Sequence, residues 1–159
     1  MTRWEALLLH VANLLVGGTG LVYAWMRYFA SPEDPFALAN HPLQPTFQHL
    51  HVLFAPLLVF TGGLIWQRHV VTRMRTHAPA KRRTGLTLAL TLLPMTVSGY
   101  LIQTVADETW REVWIFVHLA ASGLWIAGYA VHLLFGKKGA PVAGVEGLSS
   151  PDGTPKRAA

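Results

Sequence analysis

The 159-residue sequence contains no cysteine. Disulfide bonds, thiolate-bound iron–sulfur clusters and haem attached through thioether bonds are therefore excluded. Charged residues are also scarce: Asp, Glu, Lys and Arg make up 13% of the chain, whereas hydrophobic residues make up 52%. Such a composition is not that of an ordinary soluble domain. The net charge of +5 does not predict a nucleic-acid partner, because in an apolar chain the placement of the charges matters more than their sum.

Four long stretches of the chain contain no Asp, Glu, Lys or Arg. They are residues 6–26, 35–67, 84–106 and 113–136. At about 1.5 Å per helical residue, each can cross a hydrocarbon layer of about 30 Å, and the first is too long for a signal-peptide core. We therefore predict an all-α fold, an integral membrane four-helix bundle formed by residues 1–136. Residues 137–159 are rich in Gly, Pro and Ser and are expected to form a flexible tail.

The basic residues are unevenly distributed between the ends of these stretches. Arg3, the segment 68–83 and the tail together hold eleven of the 13 Lys and Arg residues. The segments 28–45 and 107–112 hold five acidic residues instead. The positive-inside rule then places both termini and segment 68–83 in the cytoplasm. The two acidic segments would face the periplasm of a bacterial inner membrane.

Two histidines, His118 and His132, lie fourteen residues apart on the fourth predicted helix. At about 100° per residue they share one face, and roughly 21 Å separates them along the helix axis. An ionisable side chain inside a membrane is costly and is by default a candidate for function. Two imidazoles in phase, one near each side of the bilayer, predict two stacked metal cofactors. Since no cysteine is present, haem b held by histidine is the best candidate.

The outer haem needs a second ligand at the depth of His118. His49 and His51, at the start of the second predicted helix, point about 160° apart, so only one of them can readily face the bundle interior. We favour His51, because it lies deeper and is followed by the small Ala55 on its own face. His49 remains the alternative.

The inner haem needs a second ligand at the depth of His132, and His10 of the first predicted helix lies at that depth. Each histidine pair would then occupy both axial positions of one haem iron. Two haem b groups are therefore predicted. Sites with no open coordination position favour electron transfer over oxygen chemistry.

The histidine pattern resembles that of the four-helix dihaem b-type cytochrome subunits of respiratory formate dehydrogenases (the gamma subunit) and membrane-bound nickel–iron hydrogenases. The matching residues are His10, His49 or His51, His118 and His132. The stretch HVANLLVGGTGL, in which Thr19 and Gly20 follow His10, is also similar to that family. The likeness covers most of residues 4–136.

The resemblance implies a membrane subunit that carries electrons between a periplasmic redox partner and the quinone pool. That partner would be a multihaem cytochrome, an iron–sulfur subunit or a dehydrogenase subunit. The resemblance also implies a quinone site beside the inner haem, close to His132. The family's spacing between the first two ligands favours His49 as the outer ligand, whereas the depth of the side chain favours His51.

A quinone site is also suggested by the residues at the cytoplasmic edge. His69 lies five helical turns after His51, among basic residues, and is a candidate for binding quinone or a haem propionate. Arg68 and Arg83 could complete such a site. The third predicted helix has neither histidine nor charge, so we expect a structural role for it. Trp125, midway between His118 and His132, is expected to fill the core.

Two other functions fit the same sequence. One is a self-contained membrane oxidoreductase, such as a superoxide–quinone oxidoreductase, which would have a small-molecule site at its outer haem. The other is a haem-free membrane anchor subunit, in which the histidines serve only in packing. Whether the protein is itself an enzyme or the electron-transfer subunit of an oxidoreductase complex is left open by the sequence, and the subunit is the favoured reading.

Overall fold

The computed structural model describes residues 2–32, 34, 36–75 and 82–134. Throughout these residues the only regular structure is helical, which confirms the predicted all-α fold. The helices are α1 (Arg3–Tyr28), α2 (Gln44–Ile65), a π-helical turn (Trp66–Val71), α3 (Thr72–Arg75), α4 (Arg82–Thr104) and α5 (Glu108–Leu134). The predicted tail at 137–159 lies outside the described residues.

Four of the helices, α1, α2, α4 and α5, are long and apolar enough to cross a membrane. Only 11% to 22% of the residues in the most apolar window of each helix are buried inside the protein. Large apolar side chains such as Leu14 and Phe116, 74% and 73% exposed, therefore cover the outside of the bundle. A soluble monomer rarely exposes so much contiguous apolar surface. The chain has the features of a multi-pass membrane protein whose helices contact lipid.

The helix ends follow local signals in the sequence. Thr2 and Glu5 form a capping box at the start of α1: the Glu5 N–H donates to Thr2 Oγ1 at 3.2 Å and the Thr2 N–H donates to Glu5 Oε2 at 2.7 Å. At the start of α5 the Asp107 carboxylate accepts the Trp110 N–H at 2.9 Å. Both contacts satisfy N–H groups that have no partner within the helix.

The spans pack as two antiparallel hairpins. Helix α1 packs along α2, which we call the first hairpin, and α4 packs along α5, which we call the second hairpin. Helices α2 and α4 contact each other much less extensively. One buried core joins the hairpins and draws residues from all four spans: Ala12, Val16, Leu58, Met95, Ala121 and Trp125.

Buried hydroxyl groups bond to their own helices. Ser98 and Thr61, 0% and 1% exposed, donate to the carbonyl oxygens of Pro94 and Leu57 at 2.6 and 2.9 Å. Such bonds let a hydroxyl enter an apolar core without losing its hydrogen bond. Across the described part of the chain, every buried side-chain nitrogen and oxygen has a hydrogen-bond partner.

The second span is not the continuous α-helix on which the predicted five-turn relation of His51 and His69 depends. It ends as an α-helix at Ile65 and continues as the π-helical turn Trp66–Val71. A π turn holds more residues than an α turn, so each residue rotates by less than about 100°. The expected in-phase relation of His51 and His69 therefore does not carry through this turn. Turns of this kind are frequent at functional sites.

Candidate functional site

The imidazole rings of His51 and His118 meet between the two hairpins. Their centroids are 6.1 Å apart and their planes are inclined at 79°. His51 comes from α2 of the first hairpin and His118 from α5 of the second. Both side chains are half-buried, whereas His49, two residues before His51, is exposed. Of the two outer candidates on α2, His51 is thus the one in contact with His118.

The His51 ring is held by helix α1 of its own hairpin. Its Nδ1 lies 2.9 Å from the carbonyl oxygen of Val16. The ring also rests on Gly20: a Cβ atom at that position would lie 2.8 Å from His51 Cε1 and 2.9 Å from Nδ1. Because real Cβ atoms do not approach so closely, this ring position requires glycine at residue 20.

The His118 ring is held in the same way by helix α4. Its Nδ1 lies 2.9 Å from the carbonyl oxygen of Met95 and 3.2 Å from Ser98 Oγ. A Cβ atom at Gly99 would lie 3.1 Å from His118 Cε1. Each hairpin therefore presents one histidine of the pair against a glycine and a main-chain carbonyl of its neighbouring helix.

The carbonyl contacts define which nitrogen of each ring is free. A carbonyl oxygen can only accept, so Nδ1 of His51 and of His118 must carry the proton and donate it. The other nitrogen, Nε2, then keeps its lone pair. Metal-binding histidines are commonly oriented in this manner, with the second nitrogen donating to a carbonyl or carboxylate.

The spacing of the two rings fits a single metal between them. A bond from imidazole nitrogen to a transition metal is about 2 Å long, so two imidazoles on opposite sides of one metal have centroids about 6 Å apart. The observed centroid distance is 6.1 Å. Among the described residues no group of three or more His, Cys, Asp or Glu could hold a metal ion. A pair of imidazoles suits a metal that brings its other ligands with it, as haem iron does.

On the inner side His132 repeats part of this arrangement. Its Nδ1 lies 3.0 Å from the hydroxyl oxygen of Thr84 on α4. A Cβ atom at Gly85 would lie 3.8 Å from His132 Cε1, an ordinary van der Waals contact. Like His118, His132 therefore lies beside a hydroxyl residue and the glycine that follows it.

The fourth histidine, His10, is held differently. Its Nδ1 is hydrogen-bonded to the hydroxyl of Tyr129, and the two rings pack edge to face with centroids 6.0 Å apart. Tyr129 lies about one turn before His132 on α5. The His10 ring thus contacts Tyr129 of α5, whereas the two outer histidine rings contact each other edge to face. His10 is also more exposed than His51 or His118.

Trp125 lies between the two levels and belongs to the core, as expected. It is 8% exposed, and its indole Nε1 donates to Asn13 Oδ1 at 2.7 Å. Asn13 in turn donates from Nδ2 to the Leu9 carbonyl at 2.8 Å. This bond joins α5 to α1 and so connects the hairpins between the outer and inner histidines.

The predicted quinone residues are only partly described. His69 is half-buried in the π-helical turn Trp66–Val71. The side chains of Arg68 and Arg83 lie outside the described residues. The quinone site proposed for His69, Arg68 and Arg83 therefore stays a prediction.

Several residues that touch the histidines were not singled out from the sequence as their contacts. They are Val16, Thr84, Met95, Ser98 and Tyr129. One signal for two of them was present: Thr84 and Ser98 are fourteen residues apart and each precedes a glycine, at the same spacing as the two histidines of α5. The carbonyl contacts carry no sequence signal, since every residue has a carbonyl group.

Comparison with protein-family models, curated proteins and solved structures finds no match to the chain. The interpretation of the site therefore rests on its geometry and on the chemistry of its residues.

Proposed function

We propose that this protein is a dihaem b-type cytochrome subunit that carries electrons across a bacterial inner membrane. His51 and His118 would ligate the outer haem, and His10 and His132 the inner one. Electrons would pass between a periplasmic redox partner and the quinone pool. The single observation that carries the proposal is the paired geometry of His51 and His118 between the hairpins.

Three features of this pair support haem ligation over simple packing. The centroid separation of 6.1 Å matches two imidazoles on one iron. Both Nδ1 atoms point to main-chain carbonyls at 2.9 Å, which leaves both Nε2 atoms as bases. The glycines at 20 and 99 clear the space that the rings occupy.

Haem held by these histidines would supply one-electron transfer. The residues of this chain bind and orient the cofactors. The carbonyls of Val16 and Met95 fix the outer rings, and the hydroxyls of Thr84 and Tyr129 contact the inner ones. The two histidines of α5 are separated by fourteen residues, or roughly 21 Å along the helix. Two such sites make a path long enough to cross much of the membrane.

The ends of the path suit different partners. The acidic segments 28–45 and 107–112 favour a periplasmic partner with a basic docking surface. On the other side, His69 with Arg68 and Arg83 is our candidate quinone site, beside the inner haem. If His69→Ala leaves quinone turnover unchanged while both haems remain bound, this assignment of the quinone site is wrong.

The test of the function is a reduced-minus-oxidised spectrum of the detergent-purified protein, with haem counted per chain. We expect two b-type haems, falling to one in His51→Ala and in His118→Ala. His49→Ala is the matched control, since His49 is an exposed histidine of the same helix turn. It should retain both haems.

Other results would select the other functions. A colourless protein would make it a membrane anchor and would refute haem binding. One haem, lost in His51→Ala, would refute the inner pair. Rapid reduction of the isolated chain by superoxide, with no copurifying partner, would favour a self-contained oxidoreductase.

A further inference from the structure

Helix α4 contains no histidine, yet it contacts both histidines of α5. Ser98 and Gly99 lie against His118 near one end of α4, and Thr84 and Gly85 lie against His132 near the other. The two pairs are separated by fourteen residues, as are the two histidines. Helices α4 and α5 run antiparallel. The contact of a hydroxyl residue and a glycine of α4 with a histidine of α5 therefore occurs twice along their interface.

The hydroxyl oxygen lies within hydrogen-bonding distance of Nδ1 at both places. Ser98 Oγ is 3.2 Å from Nδ1 of His118, and Thr84 Oγ1 is 3.0 Å from Nδ1 of His132. At the outer place the proton of the Ser98 hydroxyl is directed to the Pro94 carbonyl at 2.6 Å. The lone pairs of Ser98 Oγ are thus left to act as a second acceptor for the N–H of the His118 imidazole, beside the Met95 carbonyl at 2.9 Å.

An acceptor at Nδ1 has two effects on a ligating imidazole. It fixes the orientation of the ring, and it makes Nε2 a stronger donor to the metal. A stronger donor stabilises the ferric state of a haem and lowers its midpoint potential; hydrogen bonding around the ligands is one of the means by which a protein sets that potential.

We propose that Ser98 and Thr84 are positioning residues that orient His118 and His132 and set the midpoint potentials of the outer and inner haems separately. The inference rests on the proposed function, and it assigns to α4 a role beyond packing. Each hydroxyl acts on one site, because each contacts one histidine of α5.

The experiment is a potentiometric titration of the full-length purified protein, followed through the haem absorption bands. In Ser98→Ala the midpoint potential of the outer haem should rise while that of the inner haem stays unchanged. In Thr84→Val the inner potential should rise alone. Thr84→Ser, which keeps the hydroxyl, should restore the inner potential. His51→Ala and His10→Ala, each lacking one haem, assign the two potentials to their sites.

Thr91 provides a matched control on the same helix. It lies midway between Thr84 and Ser98, is 8% exposed, and donates to the Thr87 carbonyl of its own helix at 2.8 Å. Thr91→Val removes a buried hydroxyl that contacts neither histidine and should leave both potentials unchanged. A role of these hydroxyls in helix packing alone would make all three hydroxyl-deleting variants behave alike.

Each outcome decides the matter. Selective shifts, or selective loss of the outer haem in Ser98→Ala and of the inner haem in Thr84→Val, support the proposal. Two haems with unchanged potentials in both variants overturn it and leave the proposed function intact. Equal shifts in the Thr91→Val control, or loss of both haems in either variant, also overturn it. A colourless wild-type protein overturns the proposed function and this inference together.

Discussion

The outer and inner histidine pairs differ in what holds their rings. Both outer rings donate to main-chain carbonyls, those of Val16 and Met95, and the two distances are equal at 2.9 Å. Each inner ring contacts a side-chain hydroxyl: His132 that of Thr84, and His10 that of Tyr129. A carbonyl inside a helix cannot move without the helix, whereas a hydroxyl turns with its side chain. The two carbonyls therefore hold the outer pair in a preorganised position.

The outer pair also has an approximate symmetry that the inner pair lacks. In each hairpin a hydroxyl residue precedes the glycine that supports the ring, Thr19 before Gly20 and Ser98 before Gly99. Both hydroxyls donate to the carbonyl four residues earlier at 2.6 Å. The carbonyl three residues before each hydroxyl residue is that of Val16 in the first hairpin and that of Met95 in the second. It accepts hydrogen bonds from both the hydroxyl and the histidine ring. The two hairpins thus build the same half-site twice.

The symmetry ends on the inner side. Fourteen residues after His118 comes His132, but fourteen residues after His51 comes Ile65, which is 8% exposed in the core. The proposed inner partner of His132 comes from α1 instead, as His10. Among the described residues, no carbonyl and glycine support the His10 ring as Val16 and Gly20 support that of His51. Substitutions should therefore disturb the two sites through different residues.

The largest expected effect comes from closing the space under His51. In Gly20→Ala the new Cβ would lie 2.8 Å from the ring, so the imidazole must move out of its position. Since the group that must move is a side chain, the helices should remain packed. Changes to residues that orient a ligand commonly cost about 10–100-fold in affinity. Under the proposed function we expect that loss for the outer haem alone, measured by titrating haem into the haem-free protein.

The control for this substitution is Gly17→Ala on the same helix. No neighbouring atom would lie within 4 Å of a Cβ at Gly17. Both haems should therefore bind to Gly17→Ala as they do to the unchanged protein. Equal losses in Gly17→Ala and Gly20→Ala would show that glycine serves helix α1 in general and not the His51 ring.

The four spans could be predicted because lipid imposes simple requirements on length and charge, and the charge-free stretch 6–26 lies within α1. The choice between His49 and His51 could not be made from phase alone. The rotation of α2 about its axis depends on what it packs against, and both of its faces are apolar. The π-helical turn after Ile65 was likewise not predicted, because the apolar run that it interrupts is equally compatible with a regular α-helix.

The role of α4 was missed for a different reason. Ser98 and Thr84 were interpretable as the small polar residues that membrane helices use in packing, and Ser98 does serve that role through its bond to Pro94. Only the contact with an imidazole of another helix distinguishes the two roles. Such a contact depends on the relative height of α4 and α5, which no single stretch of sequence specifies.

A smaller effect is expected from removing the hydroxyl that contacts His10. Tyr129→Phe keeps the ring and deletes its hydrogen bond. Side-chain hydrogen bonds between membrane helices contribute about 0.6–1.7 kcal/mol, equivalent to about 3–20-fold in affinity. We expect a loss of that size for the inner haem in the same titration, with the outer haem unaffected. A loss at the outer haem would instead make Tyr129 part of the shared core.

The smallest effects compare one glycine from each site on the same helix. In Gly99→Ala the new Cβ would lie 3.1 Å from the His118 ring, which must give way by a few tenths of an ångström, although the Met95 carbonyl and Ser98 hold it in place. In Gly85→Ala the distance to the His132 ring is 3.8 Å, so nothing need move. Gly99→Ala should therefore weaken the outer haem, by less than Gly20→Ala does, while Gly85→Ala leaves the inner haem unchanged.

This ordering follows from the distances alone, since both substitutions add one methyl group to α4 beside a histidine of α5. Haem titration of the two variants side by side measures it. Gly85→Ala would contradict this ordering if it weakened the inner haem as much as Gly99→Ala weakens the outer one. The inner ring would then be held as tightly as the outer ring. The contrast between carbonyl and hydroxyl partners would not govern how the two sites respond to substitution.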